Sequence, residues 1–146
     1  MWTGLLLAWT CLQGPETLAR QELEKLQGRW LATSLQVRGR NATAADLESL
    51  QFTLEFEGAT LKFGPATALK QAQIRLDPSR NPKAIDLNVK DESGKNYVLL
   101  AIYKLDGDSL TLCLTSDPDR VARPSEFHTD GESGTTLIVL RRASKP

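Results

Sequence analysis

The strongest constraint on the fold is the alternation of apolar and polar residues in short segments that turn sequences separate. Phe52, Leu54 and Phe56 alternate with polar residues. The same two-residue period recurs at residues 61–63, 71–76 and 85–90. Side chains on a strand point alternately to the two faces of a sheet, so each segment predicts a strand with one buried face. We therefore expect an all-β protein.

Four further segments complete the predicted sheet, and they lie at 29–38, 97–105, 110–114 and 136–142. Segment 97–105 is apolar on both faces, which predicts a strand that is covered on both sides. Asp106-Gly107 after it is a typical two-residue hairpin sequence. Eight short antiparallel strands predict an up-and-down barrel, which has no exposed edge strand and can enclose one small ligand. A β-sandwich is the alternative, because periodicity does not report whether a sheet closes.

The first predicted strand, 29–38, carries apolar residues on both faces. Leu31, Leu35 and Val37 share one face, and Trp30, Ala32 and Ser34 share the other.

Two short helices are expected beside the strands. Between residues 15 and 27, Leu18, Leu23 and Leu26 lie at near-helical spacing, which predicts one amphipathic helix at the N-terminal side of the sheet. Residues 41–50 have a helix-compatible apolar pattern and predict a connecting helix of one or two turns between the first two strands.

Composition excludes several classes of function. The 146 residues contain 18 Lys+Arg and 18 Asp+Glu, so the formal net charge of +0 gives no field that would attract nucleic acid. No apolar run approaches the roughly 18 residues that a membrane-spanning helix needs. Cys11 and Cys113 are far apart and are accompanied by one histidine, so we expect neither a metal site nor a cofactor.

The N-terminal segment has the size of a signal peptide. Residues 2–12 form a short apolar block, but no Lys or Arg precedes it, and the best small-residue cleavage pattern is Thr17-Leu18-Ala19. We therefore expect a degenerate signal peptide at 1–19 and one domain at 20–146 in a secreted or periplasmic protein. A cytoplasmic protein, whose apolar block packs on the domain, is the alternative.

One tetrapeptide suggests an enzyme, but its context does not. Gly107-Asp108-Ser109-Leu110 matches the motif of one family of serine esterases. Such a serine belongs on a strand-to-helix turn, whereas Ser109 follows a hairpin turn and precedes a strand. His128 lies in a loop, with no nucleophile or metal nearby in sequence for it to serve. We therefore assign no catalytic residue and expect a protein that is not an enzyme.

The most informative pair of motifs lies at the two ends of the predicted sheet. Gly28 and Trp30 precede and begin the first strand, and Arg141 and Arg142 end the last one. In a closed barrel the first and last strands are neighbours, so one arginine is expected to lie over the Trp30 indole. This cation–π contact would seal one end of the barrel, its floor.

A Gly-x-Trp followed much later by a terminal-strand arginine resembles the calycin superfamily, the lipocalins and fatty-acid-binding proteins, in which that pair closes the barrel floor. Further motifs occur in order: Leu26-Gln27-Gly28-Arg29-Trp30, Asn81-Pro82-Lys83-Ala84-Ile85-Asp86-Leu87, Ile102-Tyr103-Lys104-Leu105-Asp106-Gly107 and Arg123-Pro124-Ser125-Glu126-Phe127. With them, about residues 23–142 resemble a small lipocalin-like domain family that is expanded in planctomycete bacteria. The resemblance implies a lipocalin-like barrel. It implies no activity, because that family has no assigned biochemical role.

Two functional hypotheses follow. In the first, the barrel binds a small apolar or amphipathic molecule, and the candidate lining residues are Phe52, Phe56, Tyr97 and Tyr103. The same residues would equally serve as ordinary core, because an eight-stranded barrel can be filled by its own side chains.

In the second hypothesis the chain is an interaction module of the cell envelope. The long 116–134 loop would contact a protein partner through Arg120, Arg123 and Phe127. Loops of that length usually have a function or are mobile. In either case we expect a monomer.

Overall fold

The computed structural model describes residues 15–64, 71–90, 93–115, 122–129 and 134–144 of the chain. These residues form two helices, α1 (Pro15–Leu26) and α2 (Ala44–Leu50). The strands are β1 (Gly28–Val37), β2 (Arg40–Asn41), β3 (Thr53–Glu57), β4 (Thr60–Phe63), β5 (Gln71–Asp77), β6 (Lys83–Lys90), β7 (Asn96–Asp106), β8 (Ser109–Thr115) and β9 (Thr135–Ser144).

The predicted antiparallel barrel is confirmed. From β3 to β9 each strand pairs with the next along the chain, and β1 pairs with both β3 and β9, which closes the ring of eight strands. The β1–β9 ladder runs from Arg29 opposite Ser144 to Val37 opposite Thr136. The two-residue β2 pairs only with the end of β1, so it lies outside the ring. Closure leaves the eight-stranded barrel rather than the sandwich as the architecture.

The two ends of the barrel differ. We call the end at which β1 begins the lower end, and it also carries the β3–β4, β5–β6 and β7–β8 turns. The opposite, upper end carries α2, which precedes β3. Helix α1 packs against β5, and Leu26 at its C-terminus is buried in the core. Ala19 and Leu23 also contact the core, whereas Leu18 is 46% exposed, so the predicted inclusion of Leu18 in the apolar face is wrong.

The barrel interior is filled by every second residue of the strands. Those exposed by at most 1% and pointing inward are Trp30, Leu54, Leu61, Ile85, Leu87, Val89, Ala101, Tyr103, Leu110, Leu112 and Leu140. The predicted two-residue alternation therefore positions most of the core.

Strand β1 departs from the expected pattern. Trp30 and Ala32 point inward, whereas Leu31 and Val37 are 46% and 41% exposed. The β1–β9 ladder shifts register just after Ala32, and Leu35 then packs against the core. Such a bulge inserts one residue and moves the following side chains to the other face. The prediction that Leu31 and Leu35 share one face is therefore wrong.

The segment 122–129 covers the outside of the barrel wall. Ala84, Ile102 and Cys113 lie opposite one another on β6, β7 and β8, and all are buried although they alternate with inward residues. The His128 carbonyl accepts a hydrogen bond from the Cys113 thiol at 3.7 Å. The prediction that β7 is covered on both sides is therefore correct at Ile102.

The β1–β2 turn contains a residue in an unfavourable backbone conformation. Arg38 and Gly39 have φ angles of +52° and +78°, as in a type I′ turn, whose first central position favours asparagine over arginine. We expect Arg38→Asn to raise the free energy of unfolding by about 0.5–1 kcal/mol, because asparagine tolerates positive φ better. Urea denaturation measures the change, with Arg40→Asn as the control. A variant no more stable than wild type would contradict this expectation.

Candidate functional site

The lower end is closed by a contact between β9 and β1. The Arg142 guanidinium lies 4.3 Å from the centroid of the Trp30 indole. Trp30 is fully buried, and the Arg142 side chain is 13% exposed, so the cation–π attraction acts with little water around it. Of the two arginines named from the sequence, Arg142 makes this contact, whereas Arg141 is exposed on β9.

The same two side chains cap helix α1. Arg142 donates from Nη2 to the Lys25 carbonyl at 2.7 Å and from Nη1 to the Gln27 carbonyl at 2.9 Å. Between these, Trp30 Nε1 donates to the Leu26 carbonyl at 2.9 Å. The last carbonyls of a helix have no partner within it and carry partial negative charge. A cation and an indole N–H therefore stabilise the end of α1 where it meets the barrel.

Gly28 and the Gln27 side chain complete this closure. Gly28 has a φ of +111°, a conformation open to glycine, and it lets the chain pass directly from α1 into β1. The Gln27 amide bridges to the β3–β4 turn, because Gly58 N–H donates to its Oε1 at 2.8 Å and its Nε2 donates to the Gly58 carbonyl at 3.1 Å. The floor residues thus attach α1 to three separate parts of the barrel.

A buried carboxylate attaches the middle of α1 to β6 and β7. Glu22 is 6% exposed, and its Oε1 accepts hydrogen bonds from Lys83 Nζ at 2.6 Å and from the Tyr103 hydroxyl at 3.0 Å. Burial, the largest single effect, acts to raise the pKa of Glu22, but hydrogen bonds from Lys83 and Tyr103 and the Lys83 charge outweigh it and lower the pKa. Burial and the Glu22 charge raise the pKa of Tyr103.

This network is the part of the lower end that the sequence interpretation missed. Glu22 lies at the i+3 position from Ala19 and the i−4 position from Leu26, within the buried stripe of α1. A glutamate inside an apolar stripe is the signal that could have indicated a buried partner. Its partners, Lys83 and Tyr103, are 61 and 81 residues away, and no local pattern identifies them.

The four candidate ligand-lining residues divide between the two ends. Phe56 and Tyr103 are 2% and 1% exposed near the closed lower end, and the Tyr103 hydroxyl is bonded to Glu22. Phe52 and Tyr97 are half-buried at the upper end, where they pack against the core. The structure therefore does not bring all four together around one space.

The upper end has a set of inward apolar side chains that are only partly buried. We call them the upper apolar set, and they are Leu35, Leu47, Phe52, Phe63, Tyr97 and Leu114. They come from α2 and from strands around the ring. At the lower end Leu105 of β7 is also partly buried, and it lines a cavity with Glu22, Lys83 and Arg142.

The candidate partner loop is partly built into the barrel wall. Arg123 donates to the Ala101 carbonyl at 2.8 Å and the Ile85 carbonyl at 3.3 Å, and it forms an ion pair with Asp86 at 2.6 Å. These contacts occupy its guanidinium within the chain. Phe127 is half-buried, and Arg120 lies outside the described residues.

The residues considered for catalysis are not adjacent. Ser109 begins β8 at the lower end and is exposed. The His128 carbonyl contacts Cys113, four residues further along β8, and burial raises the pKa of that thiol. Within the described ranges, no three His, Cys, Asp or Glu residues form a group that could hold a metal ion. Neither described helix is long and apolar enough to cross a membrane.

The two adjacent arginines of β9 give a matched test of floor closure. We expect Arg142→Lys to lower the free energy of unfolding by about 1–3 kcal/mol, because an ammonium cannot donate to both helix carbonyls while lying on the indole. Arg141→Lys is the control and should change it by less than about 0.5 kcal/mol. Chemical denaturation of both variants checks this, and equal effects would show that Arg142 has no special role.

The Glu22 network predicts a pH-dependent stability. Because the folded-state pKa lies below the ordinary value of 4.5, the carboxylate contributes fully above that pH and loses its contribution as the pH falls through the folded pKa. We expect Glu22→Gln to be destabilised by about 1–3 kcal/mol at pH 7, and the difference from wild type should shrink below pH 4.5. Urea titrations across this range measure it, with exposed Glu24→Gln as the charge control. A constant difference would contradict the assignment.

Comparisons with known proteins leave the site to be interpreted from its own geometry. No protein-family model, no curated protein and no solved structure matches the chain. The contacts of the two barrel ends therefore carry the functional interpretation, because fold alone does not imply function.

Proposed function

We propose that the chain is a lipocalin-like, non-enzymatic binding domain, and that it takes a small apolar or amphipathic molecule at the upper end of its barrel. The observation that carries this proposal is the contrast between the ends. At the lower end Trp30, Arg142 and α1 close the interior, whereas the upper apolar set remains partly accessible. A ligand that enters the interior would therefore enter through the upper end of the barrel.

The geometry of the ring supports two aromatic side chains as the main contacts. Phe52 precedes β3 and Tyr97 belongs to β7, and three strands separate β3 from β7 in either direction around the eight-stranded ring. The two side chains thus approach from opposite walls. Sites for small molecules are mostly apolar with few polar groups, and the Tyr97 hydroxyl supplies one such group.

The positions of the residues considered for catalysis support a binding function. The Ser109 side chain lies at an exposed strand start, and His128 contacts the barrel beside Cys113 through its backbone. A nucleophile needs a base within hydrogen-bond distance, and the described residues give Ser109 no such base. Binding without reaction is therefore the function that these positions favour.

Intact mass of the protein from its native host tests whether a ligand is carried. We expect extra mass under native conditions that disappears on denaturation. The denatured mass also shows whether an N-terminal segment has been removed, as cleavage of a signal peptide would require. An empty barrel that instead retains a protein partner, and loses it when the 116–134 loop is shortened, would favour the interaction-module hypothesis.

A neutral fluorescent probe tests the upper end directly. We expect N-phenyl-1-naphthylamine to bind wild type, and Phe52→Ala or Tyr97→Ala to weaken binding about tenfold, since each removes large apolar contact area. Val98→Ala is the matched control, because Val98 is next to Tyr97 but is 43% exposed on the outer face of β7. Equal affinity in all four proteins would refute binding at the upper apolar set.

A further inference from the structure

A cavity lies outside the barrel, between α1 and β5. It has a volume of about 780 Å³, which is within the range of small-molecule sites. The helix contributes Ala19, Arg20 and Leu23, and the strand contributes Arg75 and Leu76. We call this cavity the α1–β5 cleft. It is distinct from the upper apolar set, because none of its lining residues belongs to that set.

The cleft exists because β4 and β5 separate toward the lower end. Their pairing covers only three residue pairs and stops at Thr60 opposite Gln73, after which Ile74 N–H donates to the Ala59 carbonyl at 2.8 Å. Beyond that bond the free edge of β5 faces α1 instead of a strand. By the alternation of an antiparallel ladder, the N–H and C=O of Leu76 point to this same side.

The lining of the cleft carries one net positive charge, because four arginines share it with three carboxylates, Glu16, Asp77 and Asp86. Arg80 is paired with Asp77 at 3.3 Å, and Arg123 is paired with Asp86 at 2.6 Å. Arg20 and Arg75 also line the cleft, and among the described residues neither forms an ion pair.

Four apolar residues share the lining with the charged ones. Ala19 and Leu23 are half-buried, and Ile74 and Leu76 are each 9% exposed. Two exposed arginines without ion-pair partners, in the same lining as these apolar residues, match a molecule with a negative group at one end and a hydrocarbon portion at the other. Guanidinium groups bind carboxylate and phosphate oxygens through paired hydrogen bonds.

We propose that the α1–β5 cleft binds a small amphipathic anion. The carboxylate or phosphate of the ligand lies between Arg20 and Arg75, and its short apolar portion packs on Leu23 and Leu76. Glu16 at the same cleft disfavours a second anionic group, so the ligand carries one anionic headgroup. This site goes beyond the proposed function and does not depend on it.

Titration of the full chain with eight-carbon ligands tests the proposal. Octanoate and octyl phosphate are the two probes, and methyl NMR spectra locate binding. We expect saturable shifts at Ala19, Leu23 and Leu76 with at least one of them, and which one binds identifies the headgroup. Inorganic phosphate alone and octyltrimethylammonium should bind at least about tenfold more weakly, because the first lacks the hydrocarbon portion and the second lacks the anionic headgroup. Equal binding of either comparator would overturn the proposal.

Paired variants separate this site from the upper end. The double variant Arg20→Gln/Arg75→Gln should bind the octyl anions at least about tenfold more weakly, whereas Arg141→Gln, at an exposed position on β9, should bind as wild type does. Phe52→Ala should leave the cleft shifts unchanged. Unaltered affinity in the double variant, or methyl shifts confined to Leu35, Leu47 and Leu114 of the upper apolar set, would overturn the cleft and leave the upper-end proposal standing.

Discussion

The stacking of Arg142 on Trp30 joins the three parts of the chain that must meet for the barrel to close. Arg142 comes from the last strand and Trp30 from the first, and together they hold the last carbonyls of α1. Removing Arg142 would leave the Lys25 and Gln27 carbonyls without their donor, and moving α1 away would leave the buried Trp30 N–H without its acceptor, so losing this closure costs more than one contact. One interaction therefore couples β1–β9 closure to the position of the helix.

Closure of the lower end constrains the position of α1 and leaves the upper end as the accessible one. The lower end holds the Glu22 carboxylate with Lys83 and Tyr103, and a buried charge of this kind is tolerated only when its partners stay in place. That requirement fixes α1 against β6 and β7. The described inward residues of the upper end form no such polar network, so the ligand proposed there would break no ion pair of this kind.

The sequence predicted the strands that have a regular two-residue period. It missed the bulge in β1 and the long-range polar contacts of Glu22, which have no period. Strand β6 follows the two-residue alternation through Ile85, Leu87 and Val89, and all three are buried. The alternation failed in β1, because one inserted residue at a bulge reverses the faces and leaves no mark in the local pattern. The Glu22 network joins residues far apart in sequence, so only the folded barrel brings them together.

Helix α1 links the lower-end closure to the proposed cleft, because one of its faces packs on the barrel and the other lines the cleft. Glu22 and Leu26 face the barrel, whereas Arg20 and Leu23 line the cleft one turn or less away. A ligand that binds only the folded arrangement stabilises it in proportion to the logarithm of ligand concentration. An anion in the cleft would therefore hold α1 against β5 and reinforce the same closure that Arg142 and Trp30 establish. Weakening the Arg142 contact should in turn reduce affinity at the cleft, since the helix wall of the site would be less often in place.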